Sequence, residues 1–195
     1  MPFTPFHFGI ALPCIFWDWK KKRVDIISAL IGTVIIDIRS AFLVLFTSKT
    51  EFGYHGILHN FLAAIILGIL VGVFVHLTRN QWNILLKLGK WEQKTSLGSK
   101  IIVACIFTTS HILLDAAIYE FVSGGDMSMA PLQPFASGNP LYGWLGSVQP
   151  MALCVYGYII GIGMYIGYLF WFNVSQKSIS KDVDEILNSF EDEAN

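Results

Sequence analysis

The chain has 195 residues, of which 54% are hydrophobic and 14% charged, with a mean hydropathy of +0.56. That apolar share exceeds what an ordinary water-soluble domain carries, so a lipid bilayer is the expected solvent. A net charge of −1 gives no basic field for nucleic acid, and Cys14, Cys105 and Cys154 are single and scattered in apolar runs, which excludes a disulfide framework or a thiolate metal site.

In chain order, Phe6 to Trp19 is apolar but short and contains Pro13, which predicts a kinked or partly inserted helix. No basic leader or small-residue cleavage site marks it as a removable signal, and it is expected to stay in the mature protein. After the basic cluster Lys20, Lys21, Lys22 and Arg23, the run Val24 to Phe46 is long enough to cross a bilayer, although Asp37 and Arg39 lie within it. Gly56 to Val75 and Ile101 to Val122 are cleaner spans, and Met151 to Phe172 is the most plainly hydrophobic. Between the third and fourth of these, Gln81 to Gln93 mixes Trp82, Ile84, Leu85, Leu88 and Trp91 with lysines, the pattern of an amphipathic helix lying at the interface. Ser123 to Pro150 is a long Gly, Pro and Ser-rich loop, and the acidic tail after Asn173 spaces Val183, Ile186, Leu187 and Phe190 as a short surface helix. The expected fold is all-α, a polytopic membrane helix bundle of about five helices with the first one short. Residues 1–175 form the embedded domain and 176–195 a cytoplasmic acidic tail.

Basic residues favour the cytoplasmic side of short loops. Lys20 to Arg23, then Arg79, Lys87, Lys90, Lys94 and Lys100, then Lys177 and Lys181 fall on alternate sides of the expected spans, and the opposite loops hold only Lys49. The N-terminus is therefore expected outside, the C-terminus inside, and the long loop on the outer face.

With that topology most of the histidines converge in depth. His7 starts the first segment, His55 and His59 start the third, and His111 with Asp115 occupies the outer half of the fourth, with Asp37 near the middle of the second. His76 falls at the cytoplasmic end and is left out of the site. His55 and His59 are four apart, as are His111 and Asp115, so each pair projects from one helical face and can grip one ion. Imidazole and carboxylate ligands suit zinc, with manganese or iron the alternatives where more carboxylate enters the shell. Six potential ligands exceed the four of a simple zinc site, so either two metals bind or some of the six are outer groups and proton carriers. The alternative for Asp37 is a structural ion pair with Arg39 or with another helix. Arg39 is either a counter-ion for Asp37 or Asp115, or a fork for an anionic substrate group such as phosphate. Pro134 and Phe135, with Asn139 and Pro140, form either a lid or a plain loop.

The opening Pro2-Phe3-Thr4-Pro5-Phe6-His7-Phe8-Gly9, the Asp37 segment, His55-Gly56-Ile57-Leu58-His59, and His111-Ile112-Leu113-Leu114-Asp115 followed by Pro134-Phe135 and Asn139-Pro140-Leu141 resemble the membrane-bound metal-dependent hydrolase family, typified by LexA-regulated inner-membrane hydrolases. The resemblance runs in order from residue 1 to about residue 172. It implies a His/Asp pattern similar to that of zinc-dependent phospholipase C, a phosphoester substrate and metal-activated water. It would make His7, Asp37, His55, His59, His111 and Asp115 ligands or catalytic groups. The sequence departs from the family at Asp37, where Ile36, Arg39 and Ser40 replace a preceding Pro and a following acidic residue and Pro, which weakens the case for a second metal.

The sequence therefore predicts a membrane-embedded metal-dependent hydrolase of lipid or lipid-linked phosphoesters, with Asp37 or Asp115 as the proton acceptor and membrane lipid as its partner. A metal or proton transporter and a non-catalytic membrane scaffold are the alternatives.

Overall fold

The structure, a computed structural model, describes residues 7–17, 19–39, 42, 46, 58–91, 93–120, 129–146 and 148–194. Among them are six α-helices and no strand: α1 (Phe8–Trp17), α2 (Ile26–Val34), which tightens into a 3-10 turn at Ile35–Asp37, α3 (Phe61–Leu77), α4 (Arg79–Leu88), α5 (Leu97–Ile118) and α6 (Pro150–Ala194). Three helix starts are fixed by side chains that accept a backbone N–H of the first turn: Asp25 from Ser28, Asn60 from Ala63 and Ser96 from Ser99.

Among the described residues two helices are long and apolar enough to cross a membrane, Leu97–Ile118 and Met151–Gln176. The pair Phe61–Leu77 and Arg79–Leu88, bent by 77°, makes a third if it is counted as one span. At about 1.5 Å per residue α5 is about 33 Å long, close to the hydrocarbon thickness of about 30 Å. Phe8–Trp17 and Ile26–Asp37 are shorter apolar helices, and the expected second span, Val24 to Phe46, runs on into residues outside the described ones.

α5 is the hub. Val103, Ala104, Phe107, Thr108, His111, Ile112 and Asp115 are buried along it, and it packs against α2 and α3, while α1 packs against α6. Lipid offers no hydrophobic drive for helices to associate, so close backbone approach and interhelical hydrogen bonds matter more. A Cβ added at Gly72 of α3 would lie 2.5 Å from the Ile101 Cα, and one at Gly157 of α6 would lie 1.9 Å from the Gly9 carbonyl oxygen. Neither contact admits a side chain. The Thr108 hydroxyl donates across to the Ala64 carbonyl at 2.8 Å, tying α5 to α3. Outward, Ile65, Ile69, Phe74, Ile102, Ile106, Ile159, Ile166 and Phe170 are exposed, an apolar surface suited to acyl chains.

Several expected boundaries shift. Leu58 to Asn60 form a turn, so the third helix begins at Phe61 rather than Gly56, because the Asn60 side chain caps it there. The interfacial helix ends at Leu88. Trp91, expected on that helix, is instead buried against Phe16 and Tyr168, where its ring meets theirs edge-on. Lys100, expected in a loop, lies inside α5 and pairs with Asp25 at 3.0 Å, both side chains buried. The tail is no separate surface helix, since α6 continues without a break from Pro150 to Ala194.

Candidate metal centre

The C-terminal half of α5 carries His111 and Asp115 one turn apart, both buried. The apolar run of α2 changes from α to 3-10 winding at Ile35, and the tighter turn ends with Ile36 and Asp37 both buried. His59 sits in the turn just before the Asn60 cap of α3, and His7 at the entry to α1. Four separate elements thus deliver five side chains, each at most 3% exposed, to one place.

Their atoms converge. His59 Nε2 is 3.1 Å from Asp37 Oδ1 and 3.7 Å from Asp115 Oδ2. His111 Nε2 is 3.5 Å from Asp37 Oδ1 and 3.2 Å from Asp115 Oδ2. Asp37, His59, His111 and Asp115 each offer one ligand atom, and all four atoms lie within 4.8 Å of one another, so this buried group can hold a metal ion. His7 stands beside it. Its ring stacks on His111 with centroids 3.9 Å apart, and its Nε2 is 3.7 Å from Asp115 Oδ1.

The orientation of His111 is decided by α2. Its Nδ1 lies 2.6 Å from the Thr33 carbonyl, which can only accept, so Nδ1 carries a proton. In a neutral imidazole the lone pair is then on Nε2, the atom that faces the two carboxylates and makes no hydrogen bond there. A lone pair turned toward two buried carboxylates is repelled by them unless a cation, a proton or a metal, sits between. Holding a ligand histidine by its other nitrogen on a backbone carbonyl is also how metal sites fix ring orientation.

The loop between α5 and α6 anchors this end of the bundle. Asn139 donates from Nδ2 to the Ala116 and Tyr119 carbonyls at 2.7 and 2.6 Å, satisfying the C-terminus of α5. The Phe61 amide donates to the Pro131 carbonyl at 2.9 Å, and Met129 is fully buried against Ile36, Ile112 and Tyr119. Asn139 is therefore a structural clamp, while Phe135 is 84% exposed.

Of the expected site residues, the structure gathers Asp37, His59, His111 and Asp115, with His7 adjacent. His55 lies outside the described residues, so its pairing with His59 does too, and His59 itself precedes the helix rather than riding on it. Arg39 is half-buried just beyond the 3-10 turn. The Thr33 carbonyl carries no sequence signal of its own, because it is a backbone atom, and Asn139, which the sequence marks only as part of a lid or loop, acts on backbone atoms brought near by the fold. Comparison with protein-family models, curated proteins and solved structures finds no match in any of the three.

Proposed function

We propose that this protein is a membrane-embedded metal-dependent hydrolase of lipid or lipid-linked phosphoesters, with zinc as the ion, held by His59, His111 and one of Asp37 and Asp115, so that a position stays open for water and the other carboxylate is left as the base. The observation that carries the reading is the spacing of those ligand atoms. Atoms bound to one zinc at about 2.0–2.1 Å in a tetrahedral arrangement are about 3.3–3.4 Å apart; the four nitrogen-to-oxygen separations are 3.1, 3.2, 3.5 and 3.7 Å, and all the ligand atoms lie within 4.8 Å of one another.

When bound, the ion supplies Lewis-acid polarisation of a phosphoryl oxygen and activation of water. The chain supplies the rest. Asp37 or Asp115 accepts the proton of the attacking water, and His7, whose Nε2 faces the far oxygen of Asp115, carries it onward. Arg39, close to Asp37 in sequence, suits a phosphate oxygen pair. His111 and Asp115 lie in the last turns of α5, near the boundary where a bilayer presents its head groups. We place that boundary on the outer face, with the C-terminus cytoplasmic, from the distribution of basic residues. The motif resemblance to membrane-bound metal-dependent hydrolases supports the same reading.

A cluster serving only to lock helices would be expected to pair its buried polar atoms, yet His7 Nδ1 makes no hydrogen bond among the described residues. A transport path needs polar groups beyond the site, but residues 26–36, 61–75 and 101–110 contain no ionisable side chain except Cys105.

The test is elemental analysis of the protein purified in detergent, wild type against His111→Ala/Asp115→Ala. Stoichiometric zinc or manganese, lost in the double variant, is expected and leads to a screen of phosphoester lipids. Wild-type protein with no metal above background after reconstitution would sink the hydrolase.

A further inference from the structure

At the opposite end of α5 from the His/Asp group lies a cleft of about 300 Å³ between α2, the bend joining α3 to α4, and the start of α5. Its charged lining is Asp25, Arg79, Lys94 and Lys100. The one carboxylate among these is fully engaged. Asp25 Oδ1 accepts the Ser28 amide at 2.9 Å, while Oδ2 accepts the Thr95 hydroxyl and lies 3.0 Å from Lys100 Nζ. Lys100 in turn donates to the Thr95 carbonyl at 3.1 Å. Asp25 and Lys100 thus cancel, and the surplus charge of the cleft is that of Arg79 and Lys94, which have no ion-pair partner among the described residues.

Two further features favour an anion. The N-termini of α2 and α5, capped by Asp25 and Ser96, adjoin the cleft and add positive potential. Asn83, half-buried in the lining, offers an amide donor. Beside the cleft, α4 exposes Ile84, Leu85 and Leu88, so a head group seated between Arg79 and Lys94 would have its acyl chains on an apolar surface. Basic pockets between membrane helices are the ordinary receptors of anionic head groups.

We propose that this cleft binds a phosphate-bearing anion, gripped by Arg79 and Lys94, as a site separate from the metal centre and independent of what that centre does. The phosphate belongs either to an anionic lipid or to a free ion, and the experiment separates them. Full-length protein in detergent is titrated with dioleoyl phosphatidic acid, with dioleoyl phosphatidylcholine and with inorganic phosphate, and binding is read by thermal shift and native mass spectrometry. Variants are Arg79→Gln, Arg79→Gln/Lys94→Gln and, as a charge-matched control outside the cleft, Lys20→Gln/Lys21→Gln.

The expected result is that phosphatidic acid binds wild type well above phosphatidylcholine. Its affinity falls about fivefold in the single variant and about 30-fold in the double, from about 1 kcal/mol per basic group, and is kept in the control. Both substituted side chains are exposed, so the ligand-free midpoint and the metal content should stay at wild-type values. Binding of inorganic phosphate with the same variant dependence identifies a soluble ligand for the same site. No preference for phosphatidic acid together with no phosphate binding overturns the proposal, and so does an equal loss in the Lys20/Lys21 control.

Discussion

Replacing Asp25 by Ala should destabilise the protein through two separable losses. The first is the N-cap of α2, where the carboxylate accepts the Ser28 amide at 2.9 Å, worth about 1 kcal/mol. The second is the charge left behind. Lys100, 5% exposed, would keep the Thr95 carbonyl at 3.1 Å but lose the carboxylate at 3.0 Å. Orphaning one member of a buried pair costs about 3–5 kcal/mol, whereas removing both members is often nearly neutral. Asp25→Ala alone is therefore expected to lose about 4 kcal/mol or more, and Asp25→Ala/Lys100→Met only the cap, about 1 kcal/mol. Denaturant titration of wild type, both single variants and the double variant in mixed micelles gives the coupling energy directly. A coupling within about 0.5 kcal/mol of zero would refute the reasoning, because contacting groups in one network should not behave additively. The same pair sets a pH dependence. Burial by itself would raise the Asp25 carboxyl, but the Thr95 hydroxyl, the Ser28 amide and Lys100 outweigh it and hold the group below its ordinary value. Its contribution is then fully present above the unfolded value of about 3.9 and is lost as pH falls toward the folded one. Subtracting the acid limb of Asp25→Ala from that of wild type should isolate this loss.

Asn139→Ala should free the Ala116 and Tyr119 carbonyls at the end of α5 and cost about 1–3 kcal/mol. Hydrogen exchange would detect it as faster opening of the last turn of α5, and unchanged protection there would mean the clamp is dispensable. Gly157→Leu places side-chain atoms where Gly9 already stands, since even a Cβ would come within 1.9 Å of its carbonyl. Separation of α1 from α6 is expected, read as loss of a crosslink between cysteines placed on the two helices, and a retained crosslink would show that the backbone yields instead.

His111 and Asp115 were legible in the sequence because helical spacing alone puts them on one face, and the apolar runs that became α5 and α6 are long enough to read without ambiguity. His59 was legible as a candidate but misplaced. Asn60 before an apolar run is a helix-start signal, but the four-residue spacing from His55 to His59 reads as helix continuing across it. Nothing in Ile35 to Asp37 announces a 3-10 turn, since the same aliphatic residues serve either winding. A lysine beside an apolar run reads as a boundary, so the sequence places Lys100 in a loop. Its partner, Asp25, is distant in sequence, and only the fold makes that burial affordable.

The unbroken course of α6 has a mechanical consequence. Beyond the apolar stretch that ends at Gln176 the helix continues to Ala194, an arm of about 27 Å at about 1.5 Å per residue. Because no break separates arm from span, the two cannot swivel independently. A tilt of the span by about 10° sweeps the tip through about 5 Å for an arm of that length, so small changes in how α1 and α6 pack are magnified at the acidic end of the chain.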